Sequence, residues 1–167
     1  MKFLKFLFVI IVIFPPLNLL AEDQNEKSMK IHEGKWIVNC SPKDKKVCAL
    51  ERSVFVDKEM TKKLVTMVVT TKSPSKDVRF TLISPLGTLI PSGVKIGFDG
   101  KLLNENGFGF NICRQIGCIT SMMIKEQTLQ NFKKANDMNL EYVGADGKKI
   151  NISFGLDGFT KQLNNIL

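Results

Sequence analysis

Apolar positions in this chain recur every second residue, not every third or fourth. Lys35-Trp36-Ile37-Val38-Asn39-Cys40 alternates, as does Val47-Cys48-Ala49-Leu50-Glu51-Arg52-Ser53-Val54-Phe55. Residues 63–70 and 78–83 are rich in β-branched and aromatic side chains, which suit a pleated, half-buried surface. The same pattern predicts strands at 93–98, 107–113, 117–124, 138–143 and 149–154. Turn chemistry separates them: Ser41-Pro42-Lys43-Asp44, Ser73-Pro74-Ser75, Asp99-Gly100, Asn106-Gly107 and Asp146-Gly147. Asp-Gly and Asn-Gly pairs tolerate the positive φ of tight hairpins. Many short strands at this spacing predict a mainly β domain, an antiparallel β-sandwich or a partly open β-barrel.

Two stretches break the alternation. Glu126–Lys134 sets Leu129 and Phe132 three apart, the spacing of a short helix on a sheet edge. Near the C-terminus Phe159, Leu163, Ile166 and Leu167 mark one helical face, and Asp157 is placed to cap its start. Such a helix can cover an open barrel mouth or an edge strand. Between strands, Pro85-x-Gly87 and Pro91-x-Gly93 each follow a rigid residue with a permissive one and enclose Leu89-Ile90. A loop so punctuated holds its shape. Closing a barrel is preferred over presenting a surface.

Residues 1–21 have the zones of a signal peptide: Lys2 and Lys5, the apolar run Phe6–Phe14, the break at Pro15-Pro16, and Ala21 for cleavage. The run is too short for the roughly 20 residues of a membrane span. No cysteine lies near the junction for a lipid anchor. The expected organisation is a signal peptide at 1–21, a flexible segment at 22–33 and one β domain at 34–167, in a periplasmic, secreted or outer-membrane-associated protein.

That compartment is oxidising, which changes the reading of the cysteines. Cys40 and Cys48 lie near the ends of two strands joined by a lysine-rich connection, and Cys113 and Cys118 flank Arg114-Gln115-Ile116-Gly117. Proximity in the unfolded chain favours local bridges, Cys40 with Cys48 and Cys113 with Cys118. Zinc would want closer pairs or more histidines than the single His32. No C-x-x-C redox motif is present.

The formal charge of +8 falls to +6 once Lys2 and Lys5 leave with the leader. Lysines are scattered and mostly at turns, so a solvated surface is the plainer reading. Lys45, Lys46, Lys62 and Lys63 are the candidates for attachment to an anionic surface. Nucleic acid is not expected, because no aromatic residues interleave with the basic ones.

Catalytic chemistry finds little purchase. A lone histidine, read as exposed and idle, removes the Ser-His-Asp and Cys-His arrangements. Asp57 with Glu59, and Glu141 with Asp146, read as solvated turn carboxylates. Gly107-x-Gly109 lacks the setting of a nucleotide fingerprint. Trp36 shares register with Val38 and Cys40 and reads as core. Asn151-Ile152-Ser153 fits a glycosylation sequon that matters only in a eukaryotic secretory route.

Several motifs in order carry a resemblance. They are Trp36-x-Val38-x-Cys40 with Cys48, the run Pro85–Val94 ahead of Ile96 and Asp99, Phe110-x-x-Cys113-x-x-x-Gly117-Cys118, and Leu156-x-Gly158-Phe159. Together these resemble the invasion-associated locus B family of exported bacterial proteins over about residues 34–167. Gly155 stands where that family usually has a small polar residue. The resemblance implies a small exported β-protein of Gram-negative bacteria, linked in host-associated members to entry into host cells. Its implied partners are host-cell surface or envelope components. A periplasmic housekeeping or envelope-assembly module is the alternative. No enzymatic activity, cofactor or metal is implied, and a hydrolase is a distant third reading.

Overall fold

The computed structural model describes residues 30–44, 47–72 and 75–167. The leader, Lys45 and Lys46, and Ser73-Pro74 lie outside the described residues. In chain order the strands are β1 (His32–Glu33), β2 (Ile37–Cys40), β3 (Val47–Phe55), β4 (Lys63–Lys72), β5 (Ser75–Ser84), β6 (Val94–Phe98), β7 (Lys101–Leu102), β8 (Ile112–Arg114), β9 (Gly117–Ile124), β10 (Asp137–Val143) and β11 (Lys149–Gly155). Two α-helices, α1 (Glu126–Lys134) and α2 (Phe159–Asn164), flank the last two strands, and one turn of 3-10 helix spans Ile90–Ser92.

All pairings are antiparallel and form two sheets, without closure into a barrel among the described residues. The larger sheet runs β1-β3-β4-β5-β9-β8, with β2 beside β1 on the free edge of β3; the smaller runs β11-β10-β6-β7. Alternation puts Leu50, Val65, Met67, Val69, Phe80 and Leu82 of one sheet against Ile96, Met138, Leu140, Tyr142, Ile152 and Phe154 of the other, all buried. The outward residues of the smaller sheet are polar, including an ion pair from Lys95 to Glu141 at 3.3 Å and an Asn139–Ser153 hydrogen bond.

Helices plug one end of this sandwich. Phe132 of α1 meets Phe98 at 4.2 Å, Phe80 at 5.1 Å and Phe159 of α2 at 5.8 Å, so one ring joins both sheets and both helices. Leu163 and Ile166 complete the plug, and Thr71 of β4 donates its hydroxyl to the Ile166 carbonyl at 2.7 Å. Leu167, expected on the same face, is exposed. Asp157 does not cap α2: Gly158 holds that position at φ 80°, with no side-chain cap.

The turns follow the sequence. Asp99 and Gly100 both take positive φ, 47° and 79°, and close the β6–β7 hairpin in two residues. One predicted strand dissolves. Of residues 107–113, Phe108 bridges Val94 of the smaller sheet while Ile112 and Cys113 already pair with β9 of the larger. A segment that changes sheets cannot keep one ladder. Conversely, β1 enters the fold from the polar start that reads as flexible, because Glu33 has a partner described below.

Candidate functional site

Both disulfides form locally, as the spacing predicts. Cys40 and Cys48 face each other in register at a Cα separation of 4.0 Å, and Cys113 and Cys118 at 3.9 Å. Arg114 pairs with Gly117, which tightens the second loop to Gln115-Ile116. Gly117 is required there: at φ 134° a Cβ would stand 2.2 Å from the Ser84 carbonyl oxygen. Each staple fixes a short strand, β2 or β8, at one edge of the larger sheet.

Arg52 is the residue that sequence reasoning missed. Its place in the inward series Cys48, Leu50, Arg52, Val54 is the signal that could have found it. Its guanidinium donates to the Gly34 carbonyl at 2.9 Å, to the Gly155 carbonyl and to the Glu33 carboxylate, while the Gly155 N–H donates to the other Glu33 oxygen. Trp36 lies over the guanidinium at 5.2 Å and against Phe159 at 5.3 Å, and its indole N–H donates to the Asp157 carbonyl at 2.8 Å. Trp36 is therefore half-buried as a clasp and lies outside β2, rather than continuing the strand into the core. Each guanidinium nitrogen of Arg52 has an acceptor here, so this depression is a structural lock. Gly155, the departure from the family pattern, contributes its backbone to it.

Of the carboxylates singled out in the sequence, Glu59 is exposed on the β3–β4 turn, and the other three are engaged. Asp57 accepts from the N–H of Thr61, the N–H of Lys62 and the Thr61 hydroxyl, and these bonds, the hydroxyl's first, hold its pKa down to about 2. Asp146 accepts from the Lys148 N–H at 3.1 Å, which lowers its pKa too. Glu141 pairs with Lys95. His32 pairs with Phe55 in β1 and is half-buried rather than exposed.

The lysine candidates separate. Lys63 opposes Phe55 at one end of β3, and Lys62 precedes it on the exposed β3–β4 turn. Asp44 and Val47, on either side of Lys45 and Lys46, lie at the other end, about 26 Å away along a nine-residue strand. Lys45 and Lys46 themselves lie outside the described residues; of the four candidates only Lys62 and Lys63 are placed, at the Phe55 end of β3.

The end opposite the helices gathers loops instead. Register places the β3–β4 turn, the Pro85–Gly93 loop, the Gln115-Ile116 turn and the β10–β11 turn together there. The Pro85–Gly93 loop carries the chain between the sheets and is braced on both sides. The Leu89 N–H donates to Val143 at 2.7 Å, the Ala145 N–H to Gly87 at 2.6 Å, and the Thr88 hydroxyl to Pro85 at 2.8 Å. Rather than closing a barrel, this rigid loop holds Leu86 at 60%, Ile90 at 55% and Leu89 at 40% exposure, with Ile116 at 68% on the neighbouring turn. Val56 and Met60 of the β3–β4 turn add to this apolar crown.

A cleft of about 410 Å³ opens elsewhere, between the β9 edge and the 103–108 segment. Phe80 and Phe132 form its floor, and Leu103, Phe108 and Met122 its walls, with Lys125 and Thr128 at the head of α1. These residues come from three separate parts of the chain, so no sequence signal assembles them.

Comparison with known proteins supplies the remaining evidence. The sequence model of the family described as "Invasion associated locus B (IalB) protein" matches residues 36–167. The crystal structure of invasion associated protein B from Bartonella henselae superposes with a TM-score of 0.67 at 24% identity, covering 81% of this chain and 93% of that one. That likeness shows the fold. No curated protein matches the chain.

Proposed function

Since the chain belongs to the invasion associated locus B family, we propose that it is an exported binding protein without enzymatic activity, engaging a protein surface of the host cell through its apolar crown. The observation that carries this reading is the braced loop with Leu86, Leu89 and Ile90 turned outward. Apolar side chains left in water cost the fold nothing to remove, and a rigid loop loses little entropy when it docks. Two closed disulfides fit an oxidising compartment. Among the described residues no helix is long and apolar enough to cross a membrane. The family's name supports the host cell as the place of binding. That Asp57, Asp146, Glu141 and Glu33 are spent on turns and ion pairs favours binding over catalysis.

The test combines location and attachment. Bacteria expressing the full chain are fractionated, the leader junction is mapped at Ala21, and the purified protein is applied to host cells. Replacing Leu86, Leu89 and Ile90 together by serine should weaken attachment roughly tenfold or more, equivalent to about 1.4 kcal/mol or above. The melting temperature should stay within a degree or two. Retention in the periplasm with no attachment would establish the housekeeping alternative. Attachment that survives the triple change but vanishes at high salt would move the site to the lysines.

A further inference from the structure

The cleft beside β9 is independent of the crown, and its lining has one chemical character. Seven of its side chains, Phe80, Leu103, Phe108, Met122, Met123, Ile124 and Phe132, are apolar, and its one charged side chain is Lys125. About 410 Å³ falls within the roughly 300–1,000 Å³ of small-molecule sites. Phe80 and Phe132 are fully buried, so the cleft reaches the core between the sheets.

The cleft exists because β8 stops early. Its pairing with β9 covers Gly117 to Ile119, and the Asn111 carboxamide takes the Ser121 N–H at 2.6 Å. Backbone groups alternate sides along a strand, so those of Met123 face the same way as those of Ser121, where β8 no longer runs. Met122 and Met123 offer long, unbranched, polarisable side chains that adapt to an irregular guest.

The polar rim is single-signed. Lys125 precedes the first turn of α1, and no ion pair engages its ammonium among the described residues. Asn104 is spent holding its own loop, its amide donating to Gly107 and its oxygen accepting from Asn106. No carboxylate lines the cleft. An apolar slot with one cation at its mouth complements a molecule with an apolar tail and one negative head. A flat bilayer cannot enter a concave slot between sheets. We propose that this cleft binds a free single-chain amphiphilic anion, of the fatty-acid class, with the tail between Phe108, Met122 and Phe132 and the carboxylate on Lys125.

The test uses protein purified from cells expressing the full chain, titrated calorimetrically with dodecanoate below its micelle concentration and with a dodecyl ammonium of equal tail length. Saturable one-to-one binding of the anion, at least tenfold tighter than the cation, is expected. Lys125→Glu, at an exposed position, should reverse that preference. Met122→Trp should fill the slot and abolish both. If Met122→Trp does not fold, the Lys125→Glu reversal alone decides. Equal affinity for the two head charges, or binding unchanged in Lys125→Glu, overturns the proposal. So does binding to anionic phospholipid vesicles with none to free dodecanoate.

Discussion

The two ends of the sandwich solve the same problem differently. At one end four aromatic rings and two helices seal the gap between the sheets, with Phe132 at the centre of the seal. At the other end no α-helix intervenes among the described residues; Tyr142 is buried under the loops, its hydroxyl donating to the Leu64 carbonyl at 3.3 Å and its pKa pushed up by that burial. The plugged end turns its apolar side chains inward. The crowned end keeps Leu86, Leu89, Ile90 and Ile116 in water on loops that backbone hydrogen bonds hold still. These exposed apolar side chains, on a loop braced by its backbone, are what the proposed binding role rests on.

The largest test of this contrast is Phe132→Ala. Removing the ring that joins both sheets and both helices should cost about 3–5 kcal/mol, measured by denaturant unfolding. A loss below about 1 kcal/mol would mean that the plug is ornamental. The staples come next, because each sits at a different end: Cys40–Cys48 opposes Thr71 near the plug, and Cys118 opposes Ser84 near the crown. Changing either pair to serine should cost about 2–5 kcal/mol. Amide exchange should speed up in β2 alone for the first pair and in β8 alone for the second. Loss of protection at both ends from one change would show that the ends are not separate. The crown triple variant should barely register on the same stability scale, within about 0.5 kcal/mol, while attachment falls.

The smallest effect concerns acid. Asp57 braces the β3–β4 turn of the crowned end, and its pKa of about 2 lies below the ordinary 3.8. A depressed carboxylate contributes stability that is complete above its unfolded pKa and is lost as pH falls through the folded one. The melting temperature should therefore decline between about pH 4 and pH 2, and Asp57→Asn should flatten that decline. An unchanged acid limb in the variant would assign it to other carboxylates.

Much of this was legible because it is local. β3, β4, β9, β10 and α1 follow runs whose periodicity decides them alone, and both disulfides join near neighbours in sequence. What escaped depends on distant partners. Phe108, Phe110 and Ile112 alternate like a strand, yet Phe108 answers to β6 and Ile112 to β9. His32-Glu33 has no apolar pattern and becomes a strand because Arg52 holds Glu33. Trp36 shares the parity of Val38 and Cys40, but its indole is drawn to Asp157, 121 residues away. The crown was half legible: two Pro-x-Gly turns announced a rigid loop, but not which way its side chains would face. The cleft was not legible at all.

The Arg52 lock has a consequence in time. Arg52 waits for the carbonyl of Gly155, 103 residues later, and Trp36 for Asp157 and Phe159. A chain made from its N-terminus onward can pair β1, β2 and β4 with β3 early, but it cannot close the Arg52 lock until nearly its last residues have emerged. Until then it stays unlatched, the loose condition in which a polypeptide can still be threaded through a pore.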